Sequence, residues 1–167
     1  MNRVVVAVIA AFALAGCASY KWKSDVPAKL RTVCVPTFRN ESDSTELGVL
    51  AARQLLREFQ REGTFKIAGH DDAAVEVQGI VKYTSVGNNG SDRRFNNRLV
   101  AYSLTMVAEV SVVDRVNGRV LVDNKTYTAT TSFTYGGDML SAERSALGRV
   151  ADDMAQQVVD DVLAVQW

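Results

Sequence analysis

Three consecutive segments of the chain alternate apolar and polar residues, and this pattern constrains the fold more than any other feature. The alternation runs through residues 75–83, 102–112 and 120–135. Because successive side chains of a strand point to opposite faces, it predicts three strands, each with one covered face and one wet face. Turn residues from Asp114 to Gly118 separate the second and third segments. The three strands are therefore expected to form an antiparallel meander.

Two other segments repeat with the period of a helix. The first lies between a possible capping box, formed by Asp43 and Glu46, and a helix-ending Gly63. The second follows Asp138 or Ser141, either of which can cap a helix. Their apolar stripes consist of Leu47, Ala51, Leu55 and Phe59 in the first, and Leu140, Leu147, Val150, Ala151, Met154, Val158 and Val162 in the second. Each stripe covers one side only, so both helices are expected to pack on the same face of the sheet.

One more strand is predicted from Arg31 to Phe38, where β-branched residues precede and surround Pro36. The resulting order is β-α-β-β-β-α. We therefore predict an α+β fold, a two-layer sandwich of a four-stranded mixed sheet with two helices on one face. Because a helix joins the first strand to the second, these two strands are free to be parallel. Residues 31–167 are expected to form a single domain.

The N-terminus has the pattern of a bacterial lipoprotein signal peptide. Arg3 precedes the short apolar run Val4 to Ala13, which is followed by Leu14-Ala15-Gly16-Cys17. We predict that residues 1–16 are removed and that Cys17 carries lipid on its sulfur and its amino group. Residues 17–30 would then be the lipidated N-terminus and a tether. No aspartate follows Cys17, which favours the periplasmic side of the outer membrane.

The charge balance and the few histidine, cysteine and paired acidic residues argue against an enzyme or a nucleic-acid binder. Nineteen basic residues balance nineteen acidic ones, without the basic excess that nucleic acid requires. His70 is the sole histidine and is interpreted as an exposed turn residue, and Cys34 as a small buried hydrophobic residue. Asp71 and Asp72 supply too few oxygens for calcium. We predict no catalytic residue, no metal site and no cofactor other than the lipid on Cys17.

Two segments are candidates for binding. The first is a predicted long loop from Ser85 to Asn97, which contains Arg93 and Arg94 and is followed by Arg98 at the start of the next strand. Arginine pairs well with phosphate oxygens, so the loop is a candidate binding site for an anionic ligand. A flexible hairpin loop in which the arginines serve only solubility would have the same sequence pattern.

The second candidate is a row of hydroxyl side chains on the last predicted strand. Thr126, Thr128 and Thr130 continue into Ser132 and Thr134, one hydroxyl at every second residue. They share one sheet face and would point outward if helices cover the other face. Such a row is either ordinary wet surface or a surface that hydrogen-bonds a polar wall.

Several short motifs resemble those of the LptE family of lipopolysaccharide-assembly lipoproteins. Residues 32–42, TVCVPTFRNES, are similar to that family's V-x-V-P-x-F-x-N-x-T/S signature. Weaker similarities follow in the family's order: Val77 to Ile80 with Tyr83, the hairpin from Asp114 to Leu121, Ala142-Glu143 with Ala146-Leu147, and the final Trp167. Departures are Ala18-Ser19-Tyr20, where the family has Gly-Tyr after the cysteine, and Val77 in place of leucine.

The resemblance implies a protein without enzymatic activity that plugs and helps assemble the outer-membrane barrel LptD and takes part in moving lipopolysaccharide to the cell surface. Arg93, Arg94 and Arg98 would then contact lipopolysaccharide, and the threonine row would contact the barrel. Two alternatives stay open. A regulator of a peptidoglycan synthase usually has a longer tether than residues 17–30. An oligomeric secretion-channel lipoprotein needs lipid-facing strands, for which a row of hydroxyls is a poor surface.

Overall fold

A computed structural model of the protein describes residues 26–91, 100–135 and 138–167. A short 3-10 helix at Ala28–Leu30 precedes six strands and two helices. In chain order these are β1 (Thr32–Cys34), β2 (Arg39–Asn40), α1 (Leu47–Glu62), β3 (Lys66–Ile67), β4 (Val75–Ser91), β5 (Val100–Asp114), β6 (Arg119–Tyr135) and α2 (Met139–Ala164). Within these ranges neither helix has the length and apolar character needed to cross a bilayer.

The strands form one mixed, open sheet. Its order is β3-β1-β4-β5-β6, and β2 also pairs with β4. Strand β1 is parallel to β3 and β4, and β2 is parallel to β4, whereas β4, β5 and β6 form an antiparallel meander. The α+β class, the mixed sheet and the meander are thereby confirmed.

The predicted number of strands was wrong, because the sheet has six strands instead of four. The segment from Arg31 to Phe38 is not one strand: β1 ends at Cys34 and β2 begins at Arg39. Pro36 lies in the interruption and has no N–H to donate to a ladder. Strands β2 and β3 are only two residues long, which is too short for an alternation to be visible in sequence.

The core lies between the inner face of the sheet and the two helices. One cluster of buried residues unites Leu55 and Phe59 of α1, Met154 of α2 and the inward residues Val77 and Met106 of the strands. The helices also meet directly, since Gln54 Nε2 donates to the Gly148 carbonyl at 3.3 Å. Both helices therefore cover the same sheet face.

The helix ends follow the sequence signals in two of three cases. Gly63 has φ +85° and donates its N–H to the Phe59 carbonyl, which ends α1. The Asp138 side chain accepts from the Leu140 N–H and caps α2. At the start of α1, however, Glu46 is the N-cap residue and makes no side-chain capping bond. The predicted capping box of Asp43 and Glu46 was therefore wrong.

The long hairpin of β4 and β5 extends further than expected. Residues Ser85 to Ser91, predicted as loop, belong to β4 and continue its pairing with β5. Glycine and asparagine have weak strand propensity, but pairing with an adjacent strand overrides that preference.

The register of β4 shifts between Val81 and Tyr83. This shift turns Tyr83 to the outer face, where it is 53% exposed.

The described part of the predicted tether packs against the domain. Val26 and Leu30 are each 2% exposed and belong to the core cluster. Arg31 Nε holds this segment by donating to the Val26 carbonyl at 3.0 Å. The folded unit thus already includes residues 26–30.

Candidate functional site: the outer face of the sheet

The sheet face opposite the helices carries the predicted row of hydroxyls. Thr126, Thr128 and Thr130 are exposed, and they alternate with the buried Tyr127 and Ala129 of the inner face. Ser132 and Thr134 continue the row and are also exposed. The local alternation of β6 therefore places these side chains as the sequence predicted, on a surface that neither helix covers.

Neighbouring strands complete this surface. Thr105 and Thr130 are cross-strand partners whose hydroxyls lie 2.9 Å apart. One pair further along, Val107 is paired with Thr128 on one side and Tyr83 on the other. The surface is thus hydroxyl-rich with one aromatic side chain, and hydroxyl groups both donate and accept hydrogen bonds.

Side chains of α2 reach over the outer edge of this surface. Among the described strands β6 has a partner on one side only. Arg149 Nη2 donates to the Ser132 carbonyl at 3.3 Å, and Gln157 Nε2 donates to the Thr128 carbonyl at 3.4 Å. These contacts occupy two backbone acceptors of an edge strand, a position at which other chains often add by pairing.

A cavity of about 340 Å³ opens beside the row, near the start of β4. Its polar lining comes from Arg39, Glu76, Gln78, Glu109, Ser111 and Asn124. Ion pairs rim it: Glu41 lies 2.5 Å from Arg39 and 2.8 Å from Lys82, and Lys82 lies 3.6 Å from Glu109. The hydrogen bond from Lys82 is the largest influence on the pKa of Glu41, which is lowered. These groups form a charged but balanced patch.

A compact polar cluster lies at the β1 end of the same face. The Glu76 carboxylate is 3.5 Å from Arg115 Nε and 3.7 Å from His70 Nδ1. Cys34, 5% exposed, lies beside it. Burial, followed by the charge of Glu76, raises the pKa of the Cys34 thiol. A buried thiol with a raised pKa is a poor nucleophile, so this group does not resemble a catalytic cysteine.

Sequence reasoning missed this cluster because its members are far apart in the chain. The expected burial of Cys34 and exposure of His70 are both confirmed. The proximity of Cys34 to Glu76 arises from the parallel register of β1 and β4, which makes the two residues direct neighbours. Periodicity within one segment contains no information about that register.

The signature from Thr32 to Ser42 forms a joint between the sheet and α1. Phe38 is buried, and its N–H donates to the Gly48 carbonyl at 3.3 Å. The Asn40 side chain accepts from Ser42 and donates to the Ser44 carbonyl at 2.6 Å, which shapes the turn into the helix. These residues position α1, and their role is structural.

The hairpin motif between β5 and β6 also has a structural role. Asp114 is fully buried and accepts hydrogen bonds from the N–H groups of Val116 and Asn117, both at 3.0 Å, and from the Asn117 side chain at 2.6 Å. Gly118 follows with φ +67°, a conformation that favours glycine. The motif therefore specifies the turn.

The other sequence-predicted site residues lie outside the described ranges. These are the lipidation residue Cys17 and the arginines Arg93, Arg94 and Arg98. Their roles stay predictions.

The fold and its open face define a class, a two-layer α+β domain that covers one side of its sheet with helices and leaves the other side bare. The sequence matches the LptE family, described as lipopolysaccharide-assembly, over residues 30–162. The chain therefore belongs to the LptE family. Members of this family are lipoproteins without enzymatic activity.

Comparison with solved structures gives matches at low sequence identity. The hypothetical protein CT253 from Chlamydia trachomatis superposes with a TM-score of 0.58 at 12% identity, over 80% of this chain and 95% of that one. The PelC dodecamer from Paraburkholderia phytofirmans gives 0.47 at 19% identity, over 83% and 92% of the two chains. A minor lipoprotein from Acinetobacter baumannii gives 0.46 at 17%, over 81% and 94%. No curated protein matches the sequence.

Proposed function

We propose that this protein is a non-catalytic outer-membrane lipoprotein that plugs an LptD-type β-barrel, helps it to assemble and takes part in moving lipopolysaccharide to the cell surface. Lipid on Cys17 anchors the domain on the periplasmic side. Membership of the LptE family supports the general role in lipopolysaccharide assembly. The partner, the anchor and the contact residues are the more specific parts of the proposal.

The observation that carries the plug assignment is the bare outer face of the sheet. Thr126, Thr128 and Thr130 present hydroxyls on it, and Thr105 and Tyr83 extend it across β5 and β4. The interior wall of an outer-membrane barrel is polar, so its side chains match a surface that both donates and accepts hydrogen bonds. A lipid-facing surface would need apolar residues at these positions.

The short connection to the predicted anchor favours a partner in the same membrane. Nine Cα–Cα steps separate Cys17 from Val26, the first described residue, and they span at most roughly 30 Å when fully extended. Val26 is already part of the core. A lipidated Cys17 would keep the domain close to the outer membrane, which disfavours a regulator that must reach a peptidoglycan synthase.

Three arginines are the proposed contacts to lipopolysaccharide. Arg93, Arg94 and Arg98 belong to the connection between Ser91 and Val100, the paired ends of the long β4–β5 hairpin. Lipopolysaccharide carries phosphates and acidic sugars, and the guanidinium group binds phosphate oxygens through two parallel hydrogen bonds.

Site-specific photocrosslinking in cells tests the plug assignment. A crosslinking residue placed at Thr128 or Thr130 is expected to capture a barrel of LptD type, whereas one at the exposed Gln60, near the end of α1, is expected to capture less. Failure of every outer-face position to capture a barrel would contradict the assignment. Capture of a peptidoglycan synthase or of further copies of the chain would instead support one of the two alternatives.

A further inference from the structure

Three side chains that bind transition metals meet at the β1 end of the outer face. The Cys34 sulfur, a ring nitrogen of His70 and a carboxylate oxygen of Glu76 all lie within 4.8 Å of one another. They come from three parts of the chain: β1, the turn after β3, and β4. A thiol, an imidazole and a carboxylate are the donors found at zinc sites.

The backbone fixes two of these groups next to each other. Cys34 and Glu76 are register partners in the parallel pair of β1 and β4. Their predecessors Val33 and Val75 are fully buried in the core, so alternation turns Cys34 and Glu76 to the opposite face. The separation of the two ligands is therefore set by the sheet itself.

The turn that carries His70 is tied down over this pair. Thr32 Oγ1 accepts from the Ala74 N–H at 2.9 Å, and the Val33 carbonyl accepts from the Ala68 N–H at 3.0 Å. Arg115 donates to the His70 carbonyl from the other side. The His70 ring itself is 60% exposed; its Nδ1 already faces Glu76 Oε2 at 3.7 Å, and Arg115 Nη2 lies 3.5 Å from its Nε2.

We propose that Cys34, His70 and Glu76 form a binding site for a divalent ion of the zinc type, with water as the fourth ligand. Zinc–ligand bonds of about 2.0–2.3 Å in a tetrahedron place ligand atoms roughly 3.3–3.8 Å apart. The observed spacing is at most 4.8 Å, so side-chain movements of about 1 Å convert it into that geometry. Binding releases the Cys34 thiol proton to solvent, and the thiolate and carboxylate then balance the two charges of the ion.

The surroundings of Glu76 suit this role. Gln78 Nε2 donates to Glu76 Oε1 at 2.9 Å, which orients the carboxylate and leaves Oε2 toward His70. Arg115 is the competing cation, with its Nε 3.5 Å from the same oxygen. It also donates to the carbonyls of His70 and Ala73, so it keeps two acceptors when an ion takes its place beside Glu76.

Cobalt(II) titration of the full-length reduced protein in detergent tests the proposal. A thiolate-to-cobalt charge-transfer band in the near ultraviolet is expected for the unaltered chain and for Cys17→Ala, and excess zinc should abolish it. Cys34→Ser should lose the band. His70→Gln and Glu76→Gln should weaken zinc binding by at least about tenfold, whereas Asp72→Asn, in the same turn, should leave it unchanged.

The outcomes separate cleanly. Absence of the band from the unaltered protein, with native circular dichroism, would overturn the proposal. So would a band that persists in Cys34→Ser or zinc binding that is unaffected by His70→Gln. His70 is exposed, so its substitution tests metal binding without disturbing the core. A zinc-induced rise in melting temperature, present in the unaltered chain and absent from His70→Gln, would support the site independently.

Discussion

The ring of Phe38 lies directly against the backbone of Gly79. A Cβ atom at position 79 would stand 2.0 Å from Cε2 of the ring, and one at Gly48 would stand 2.2 Å from the Phe38 carbonyl oxygen. Phe38 is thus enclosed between the sheet and α1 at two positions where only hydrogen fits. The phenylalanine and the glycine of two separate family motifs are two halves of one packing contact.

Replacement of Gly79 by alanine should therefore destabilise the domain. Phe38 is 3% exposed and belongs to the core cluster, so its ring can make room only by displacing other core residues. Overpacking of this kind costs about 1–3 kcal/mol. Urea denaturation of Gly79→Ala should show a lower midpoint with an unchanged slope.

Gly148 provides the matched control. It lies within α2, and a Cβ there meets nothing within 4 Å. Gly148→Ala should stabilise the protein by up to about 1 kcal/mol, because alanine favours the helix. Combining Gly79→Ala with Phe38→Leu should cost less than the sum of the two single changes. Strict additivity would show that the ring and the glycine are not in contact.

Asp114 should make stability depend on pH at the acidic end. Burial alone raises the pKa of its carboxyl, but the hydrogen bonds from Asn117 and Val116 outweigh burial, so the pKa is lowered. The unfolded value is about 3.9. The stabilisation is therefore complete above that pH and is lost as the pH falls through the lower folded value.

Asp114→Asn isolates this contribution. The difference in free energy of unfolding between the unaltered chain and Asp114→Asn should be constant near neutrality and shrink below about pH 4. Asp114→Ala should cost about 1–3 kcal/mol, because the turn loses its acceptor. A difference that stays flat down to pH 2 would contradict the assigned protonation behaviour.

Sequence patterns predicted the features that depend on periodicity within one segment. They missed the features that depend on the register between strands or on contacts between distant segments. Alternation correctly placed Met106 inward and Thr128 outward, because that property belongs to a single strand. The alternation over residues 75–83 would put Tyr83 on the same face as Val81, but a one-residue register shift between them reverses the faces beyond it. The contact of Phe38 with Gly79 and the proximity of Cys34 to Glu76 both join segments some forty residues apart, and a pattern within one segment carries no information on either.

Reversing charge at Arg93 and Arg94 should weaken binding of lipopolysaccharide. Arg93→Glu with Arg94→Glu replaces two donors for phosphate by two groups that repel it. The double variant should bind immobilised lipopolysaccharide at least about tenfold more weakly, since each charge-assisted contact is worth about 1.5–3 kcal/mol. Arg53→Glu with Arg57→Glu, at exposed positions of α1, is the control. Equal binding by both double variants, with native circular dichroism, would remove the arginine assignment.

The contacts of α2 over the edge of β6 should limit self-association. Arg149 and Gln157 occupy the carbonyls of Ser132 and Thr128. Arg149→Ala with Gln157→Ala frees these acceptors at the end of a 17-residue edge strand, the kind of surface on which another chain adds by pairing. The cost in stability should stay within about 1 kcal/mol for such exposed bonds.

Light scattering during slow heating separates an edge effect from simple destabilisation. The double variant should scatter at lower temperature than the unaltered chain while its unfolding transition moves little. Arg144→Ala with Gln166→Ala removes the same two residue types at exposed positions in and just after the same helix, and it should leave the onset of scattering unchanged. If both pairs shift the onset equally, loss of surface charge explains the effect. If neither pair shifts it, the two carbonyls do not control association.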